Sequence, residues 1–394
     1  MRRADPLLAS LSRHRLVAGL VILQAAVTAA LLVMAMAAVA SRLAAASAPS
    51  GLDEARLLQV QVDGGADASL QRRERQALAS LPGVIAVARV NQVPFGYLRW
   101  RSRVGARPRM AGGTYMASVY FGDRDLLGAL GVRLYAGRAF LPAEYVAEPV
   151  RGTGFRAAHV QLSRDLAGHL FPRGDALGGT VYIGERPMRV VGLYDRLQGA
   201  DPQQTASLVL PEWLAAARSA TYLLRLRDAP LTQADLAQAI DQQAGRWPGD
   251  VRTLARMRHD WFAPTRMAIA SLVLGLALWL VGTGVGMASL ADLLLQSRLR
   301  QIGLHRALGA TAAQVRMQLR RENLLLAGAG TILGLLATWL LWQSWPWLAA
   351  NLPAPGVPAH ALAGMLVLLT GQCALWPVTR EANAISPALA SRRA

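Results

Sequence analysis

The sequence contains no lysine, one cysteine and few acidic residues. All 42 basic residues are arginine, against 24 Asp and Glu, and the formal net charge is +18. The single cysteine, Cys373, excludes an internal disulfide and any metal site built from several cysteines. The P-loop pattern G-x-x-x-x-G-K-[ST] is absent, as are H-E-x-x-H and G-x-S-x-G, and the six histidines show no metal-ligand spacing. The sequence therefore predicts no phosphate cradle, catalytic centre, cofactor site or metal site of its own.

Charged residues make up only 17% of the chain, whereas about 25% is usual in soluble proteins. Residues 16–40 and 267–291 are uncharged, and no Asp, Glu, Lys or Arg occurs from 323 to 379. Prolines in 351–360 divide this last run into 323–349 and 361–379. A helix needs about 20 apolar residues to cross the bilayer core. The pattern predicts a membrane protein with four transmembrane α-helices in contact with lipid.

The arginines predict the orientation of these helices. Segments 1–15, 292–322 and 380–394 carry arginines, whereas the 350–360 turn carries none. Short basic segments stay on the cytoplasmic side. We therefore expect both termini in the cytoplasm, and segment 41–266 and the 350–360 turn on the opposite side of the membrane. A cleaved signal peptide is the competing interpretation of the first run, but 25 residues exceed the usual apolar region of about 7–15.

Segment 41–266 alternates short strand and helix patterns and is expected to form a large α+β domain between helices 1 and 2. Alternation of apolar and polar residues predicts strands at 56–62, 84–90, 159–163 and 221–227, and a hairpin over 180–195 that turns at Gly184–Pro187. Helices are predicted at 69–81, 123–130, 164–171 and 211–219, the last because Pro211 suits a first helical position. Thr232 and Asp235 have capping-box spacing for a further helix that stops near Gly245.

The four spans contain no ionisable residue, which argues against a proton relay or a hydrophilic pore. The stretch GTGVG, with Gly282, Gly284 and Gly286, superficially resembles a nucleotide loop. Because it lies inside an uncharged run, we interpret these glycines as positions of close helix packing in the membrane.

The stretch RQIGLHRALGATAAQV, residues 300–315, lies between the second and third spans. It is either a basic loop that only sets orientation or a helical elbow that contacts a partner. Gly303 and Gly309 are costly inside a plain helix, and Thr311 suits the start of a new helix. We expect an elbow with candidate contact residues Arg298, Arg300, Gln301, Ile302, Gly303, Arg306, Ala307, Leu308, Gly309 and Ala310.

Three stretches resemble a known family, the FtsX/MacB-type permeases of ABC transporters. RQIGLHRALGA, residues 300–310, resembles the cytoplasmic signature of that family. LLGALGVRLYAGRAF, residues 126–140, and LSRDLAGHLFPRGDALGGTVYIGERPMRVVGLYD, residues 162–195, are similar to its MacB-like outer-domain patterns. Gln301 replaces an acidic residue of the signature, and Gly179 replaces a common lysine.

The uncharged runs, together with the order of segments that the resemblance implies, divide the chain into nine segments. They are a tail at 1–15, spans at 16–40, 267–291, 323–349 and 361–379, a porter-type domain with an inserted subdomain at 41–266, a coupling segment at 292–322, a periplasmic turn at 350–360 and a tail at 380–394.

The resemblance also implies a non-catalytic subunit of an ATP-driven complex in the inner membrane of a bacterium, with segment 41–266 and the 350–360 turn in the periplasm. Its partners would be a second permease subunit, a cytoplasmic ABC ATPase that uses ATP and Mg, a periplasmic adaptor and an outer-membrane exit duct; no nucleic acid is expected. Since only 15 residues precede the first span, we expect the ATPase to be a separate chain. Export by mechanotransmission is the first hypothesis. The alternatives are an FtsX-like activator of cell-wall hydrolases and a LolC/LolE-like lipoprotein extraction subunit.

Overall fold

The computed structural model describes residues 15–63, 68–110, 113–147, 155–197, 205–214, 219–227, 236, 238, 240–242, 248–297, 311–352 and 354–384. The chain divides into two units, each described by itself. The helical unit comprises Met1–Ala44 and Thr265–Ala394, and the α+β unit comprises Ala45–Pro264.

The α+β unit contains thirteen strands within its described residues: β1 Leu57–Asp63, β2 Val84–Arg89, β3 Arg101–Gly105, β4 Tyr115–Phe121, β5 Leu134–Gly137, β6 Val146–Ala147, β7 His159–Ser163, β8 Thr180–Ile183, β9 Arg186–Tyr194, β10 Ser207–Leu210, β11 Glu212–Trp213, β12 Ser219–Leu226 and β13 Pro248–Thr253.

The α-helices whose bounds the structure describes are numbered in chain order. They are α1 Arg15–Ser47, α2 Ala68–Ala79, α3 Leu126–Leu130, α4 Arg164–Leu170, α5 Leu254–Trp261, α6 Ala263–Ser297, α7 Ala312–Ser344, α8 Pro346–Asn351 and α9 Val357–Ala384.

An antiparallel sheet forms the first part of the α+β unit, in the order β13-β1-β12-β2. Strand β1 alternates as its sequence predicts, and Leu58, Val60 and Val62 point to one side, where they form a core with Tyr222 and with Leu78 of α2. The amphipathic helix α2 therefore covers this face of the sheet.

The second part of the unit is inserted in the chain between β2 and β12. Its strands follow the order β5-β9-β7-β10-β4-β3-β8, and β9 also pairs with β8. This extra pairing closes six strands (β9, β7, β10, β4, β3 and β8) into a ring, and β5 pairs with β9 outside it. The ring interior is filled by apolar residues that include Val119, Phe121, Leu162 and Leu208, with Leu166 of α4 in the same cluster.

A second apolar cluster joins the ring to the antiparallel sheet. Tyr120 of β4 and Tyr194 of β9 are fully buried and belong to one cluster with Leu57 and Leu223 of the sheet. Alternate residues of β4 thus serve two cores, because successive side chains of a strand point to opposite faces.

Most predicted strands and helices of this unit are confirmed within one to three residues, and the hairpin of β8 and β9 turns where expected. The prediction of a helix at 211–219 is wrong. Glu212–Trp213 form a strand paired in parallel with Val146–Ala147, and β12 begins at Ser219. The buried Glu212 carboxylate accepts hydrogen bonds from the backbone N–H groups of Arg156 (2.5 Å) and Ala157 (2.8 Å), so tertiary contacts override the local helix preference. Thr232, Asp235 and Gly245 lie outside the described residues.

Four helices of the described chain are long and apolar enough to cross a membrane. Their candidate spans are Arg15–Ser47, Leu254–Gln296, Arg316–Ser344 and Val357–Pro377. Helix α7 ends at Ser344, before the expected residue 349, since Pro346 lacks the N–H that would continue it and starts the short α8 instead. Helix α1 continues beyond the expected residue 40 to Ser47.

Candidate functional site

The predicted coupling contacts, residues 298–310, lie outside the described residues, and their role stays a prediction. The helix that follows them begins as expected, with Thr311 as its N-cap. The Gln314 backbone N–H donates to Thr311 Oγ1 at 3.4 Å, and the Thr311 backbone N–H donates to Gln314 Oε1 at 2.9 Å. This reciprocal pair is a capping box, and the Gln314 N–H also lies 3.1 Å from the Thr311 carbonyl oxygen, so the first turn of α7 is well supplied with acceptors.

The three glycines of α6 differ in their surroundings. A Cβ added to Gly286 would lie 2.5 Å from Gln24 Nε2 of α1, whereas at Gly284 the nearest atom is Thr370 Cγ2, at 3.5 Å. At Gly282 nothing lies within 4 Å. Only Gly286 is thus in a position where a side chain would disturb a neighbouring helix of the same chain, and packing of all three remains a prediction.

Uncharged polar side chains join α1 to α6, a feature that a search for ionisable residues missed. Thr28 Oγ1 and Thr283 Oγ1 lie 3.1 Å apart, and Gln24 Nε2 donates to the Thr283 carbonyl at 3.1 Å. Trp279 Nε1 donates to Thr28 Oγ1 at 3.2 Å. Such hydrogen bonds between helices contribute about 0.6–2 kcal/mol each in a membrane.

Close backbone approach joins α1 to α7. A Cβ at Gly330 would lie 2.3 Å from the Ile22 carbonyl oxygen, and one at Gly334 would lie 2.2 Å from that of Ala26. The buried Asn323 of α7 donates from Nδ2 to the Gly371 carbonyl of α9 at 3.1 Å. Glycines therefore allow the close spacing of α1 and α7, and the Asn323 side chain links α7 to α9 by a hydrogen bond.

Within the α+β unit, Arg258 links the two places where the chain enters and leaves that unit. Its Nη2 donates to the carbonyl oxygens of Ala46 (2.7 Å) and Ala48 (2.6 Å), at and just beyond the C-terminal end of α1. Its Nη1 donates to Glu54 Oε1 at 2.6 Å. A helix end leaves carbonyl groups without intrahelical partners, and a cation there is favourable.

The arginine is itself held in place. Its guanidinium lies 5.7 Å from the centre of the Phe95 ring, and the Ser50 hydroxyl donates to the same Glu54 carboxylate. The Ala255 backbone N–H donates to the Glu54 carbonyl at 3.2 Å, which joins α5 to the segment after α1 a second time. We call Arg258, Glu54, Ser50 and the carbonyls of Ala46 and Ala48 the Arg258 clamp. Because α5 directly precedes α6 in the chain, the clamp joins the segments that continue α1 and α6.

The clamp was not predicted from the sequence. Arg258 and Glu54 are separated by 204 positions and belong to no recognised motif. The only signal was the register of α5, which buries Leu254 and Met257 and thereby decides where Arg258 points. In the part of the chain that the structure describes, no group of three His, Cys, Asp or Glu could hold a metal ion.

The described chain combines a large α+β unit with a unit whose helices are long and apolar enough to cross a membrane. Comparisons with known proteins specify this class. Residues 16–243 match the family described as MacB-like periplasmic core domain, and residues 271–383 match FtsX-like permease C-terminal. The chain therefore belongs to the FtsX/MacB-type family of ABC transporter permeases.

A curated relative is the macrolide export ATP-binding/permease protein MacB 1/2 of Paracoccus denitrificans (strain Pd 1222). It is 26% identical over 227 residues, a match that covers 52% of this chain but only 31% of the relative. The whole activity of that relative therefore does not transfer directly.

Solved structures with a partial likeness include the periplasmic region of MacB from Actinobacillus actinomycetemcomitans. It has 13% identity and a TM-score of 0.35, with 53% of this chain and 94% of that one covered. The extracellular domain of the noncanonic ABC-type transporter YknZ from Gram-positive bacteria has 12% identity and a TM-score of 0.32, with coverages of 50% and 98%.

Proposed function

We propose that this chain is the permease subunit of an ABC-type exporter that works by mechanotransmission. A separate cytoplasmic ATPase would bind ATP and Mg, and its movement would reach the α+β unit through α1 and α6. The chain would lie in the bacterial inner membrane with both termini in the cytoplasm and the α+β unit in the periplasm. The runs 16–40, 267–291, 323–349 and 361–379 contain no Asp, Glu, Lys, Arg or His, which supports a mechanical rather than a channel-like role.

The Arg258 clamp is the observation that carries this proposal. A helix can move a domain only if its connection to that domain is stiff, and a flexible linker would absorb the displacement. Here three charge-assisted hydrogen bonds hold both connecting segments to one guanidinium group. Movement of either helix would therefore act on both connections rather than on one loose end.

The match of the outer unit to the MacB-like periplasmic core favours export over the FtsX-like and LolC/LolE-like roles. A periplasmic adaptor and an outer-membrane duct would complete the path. We also propose that a second permease subunit pairs with this chain. Apolar residues such as Leu274, Leu278 and Val281 on α6 are more than half exposed, and this surface is available to lipid and to such a subunit.

Co-purification tests the partners. Two differently tagged copies of the chain would be expressed in the native membrane, and proteins bound to either tag would be identified by mass spectrometry. We expect an ABC ATPase, a periplasmic adaptor and the other tagged copy. Recovery of a cell-wall hydrolase or a lipoprotein carrier without an adaptor would refute the export role.

A pair of charge reversals tests the coupling segment. The double variant Arg300→Glu/Arg306→Glu should lose the ATPase and remain in the membrane. The control Arg316→Glu/Arg320→Glu changes the net charge of the same cytoplasmic segment equally, at residues exposed on α7. If both double variants retain the ATPase, the predicted coupling contacts are wrong. If both lose the ATPase equally, its binding depends on the net charge of the segment and not on Arg300 and Arg306.

A further inference from the structure

A polar cleft of 590 Å³ opens within the α+β unit. It is bounded by α2, β2, β11, β12 and the turn after β4, so both the antiparallel sheet and the part of the chain inserted between β2 and β12 contribute walls. Clefts that bind small molecules usually enclose about 300–1,000 Å³. The size therefore suits a small organic ligand.

Positive charge exceeds negative charge around this cleft. Its walls carry four arginines, Arg72, Arg75, Arg89 and Arg124, against Asp123 and Asp125. Asp123 is already engaged, because its Oδ2 accepts the Arg89 backbone N–H at 3.0 Å and lies 3.8 Å from Arg75 Nη1. Burial also raises the pKa of Asp123, which disfavours its negative charge. An anion entering the cleft would meet a net positive wall.

The floor of the cleft is built from buried polar groups. Arg89 is only 8% exposed, and its Nη1 donates to the Leu214 carbonyl at 3.1 Å. Tyr222 is fully buried and donates its hydroxyl hydrogen to Glu74 Oε2 at 2.7 Å. The carboxylate of Glu74 is thus satisfied behind the floor. The orientation of these groups is set by the fold before any ligand arrives, which lowers the entropy cost of binding.

An aromatic wall lies beside the arginines. The Arg124 guanidinium lies 5.4 Å from the centre of the Trp213 ring and 5.8 Å from that of Tyr145, and the two rings are 4.8 Å apart. Stacking restrains the guanidinium while its N–H groups stay available for an anion.

We propose that this cleft binds a small organic anion. A carboxylate or phosphate group would be held by Arg75 and Arg124, whose planar forks match the geometry of such oxygens, and an aromatic or apolar body would lie against Trp213. The inference rests on the cleft alone and not on the proposed export role.

Ligand-observed NMR on the full chain in phosphatidylcholine nanodiscs tests the proposal. The probes are phenyl phosphate and benzoate, with benzyl alcohol and benzylamine as neutral and cationic counterparts, and empty nanodiscs supply the blank. At least one of the two anions should bind saturably and at least tenfold more tightly than the neutral and cationic probes. Added salt should weaken this binding, since exposed charges are screened. The stronger anion identifies the preferred acid group.

The variant Arg75→Gln/Arg124→Gln should bind that anion at least tenfold more weakly. Both side chains are exposed, so the substitutions remove charge without opening a core. Arg73→Gln is the matched control, because Arg73 is exposed on the same helix but does not line the cleft. It should leave the affinity unchanged within twofold. No saturable anion binding above the blank, equal binding of benzylamine, or equal loss in Arg73→Gln would overturn the proposal, and the first two results need no variant.

Discussion

Replacement of Arg258 by alanine should destabilise the α+β unit more than any other single arginine change on α5. The side chains of Arg258 and Glu54 are 21% and 14% exposed, so the pair is largely shielded from water. Loss of one partner from a buried ion pair costs about 3–5 kcal/mol, because the other charge remains buried. Since Ser50 still donates to Glu54, we take the lower end and expect a loss of about 3 kcal/mol in the free energy of unfolding.

Thermal unfolding of the full chain in detergent, followed by tryptophan fluorescence, measures this loss. For a domain of this size, 1 kcal/mol shifts Tm by roughly 2–4 °C, so Arg258→Ala should lower the Tm of the α+β unit by roughly 6–12 °C. Hydrogen exchange should also quicken around residues 46–54, where the freed carbonyls and Glu54 lie.

Arg256→Ala is the control for this experiment. Arg256 lies on the same helix but is exposed, and a surface change of this kind usually alters stability by less than about 0.5 kcal/mol. A Tm for Arg258→Ala within about 2 °C of the Arg256→Ala value would refute the clamp as a stabilising contact. In the double variant with Glu54→Gln, the two losses should be less than additive, because both remove the same interaction.

Three further predictions concern other parts of the chain. Gly334→Ala should lower the free energy of unfolding of the helical unit by about 1–3 kcal/mol, because its Cβ would lie 2.2 Å from the Ala26 carbonyl oxygen. In the control Gly328→Ala, on the same helix, the new Cβ has no neighbour within 4 Å, so this change should be neutral or stabilising. Equal Tm values for the two variants would contradict the close approach of α7 to α1. The Arg138 guanidinium lowers the pKa of Glu144 from its ordinary 4.5 to about 2. The stability that this contact contributes is therefore present above pH 4.5 and is lost as the pH falls towards 2. When Tm is measured against pH, the Tm of Glu144→Gln should fall less than that of the unmodified chain over this range. Thr311→Ala should destabilise the first turn of α7 by about 1 kcal/mol, which would be measured as faster amide exchange at Gln314. Thr311→Ser keeps the hydroxyl and should restore the slower exchange. Unchanged exchange in Thr311→Ala would argue against the cap.

Local chemistry explains which elements the sequence predicted well. The start of α7 at Thr311 was predictable because a capping box needs only residues three positions apart. The hairpin of β8 and β9 was likewise predictable from alternation and from Gly184, whose positive φ of 64° suits a turn. These features depend on neighbours in the chain, and neighbours are visible in a single sequence.

The helix expected at 211–219 shows where that reasoning stops. Pro211 and the alanines that follow favour a helix locally, but the Glu212 carboxylate finds two backbone N–H groups more than 50 positions away. Burial of a carboxylate costs free energy unless hydrogen-bond donors surround it, so the distant segment that supplies these donors decides the local conformation. The arginine cleft escaped notice for the same reason, because its walls come from five separate elements.

Four apolar helices, an α+β segment and the motifs of a permease family can be read from the amino-acid sequence alone, since hydropathy, alternation and capping are local properties. Three features became visible only in the folded chain: six strands of the inserted part close into a ring, Arg258 reaches Glu54 and the end of α1, and four arginines line one cleft. Each of these depends on side chains that are far apart in the chain and that meet only when the two cores of the α+β unit have packed.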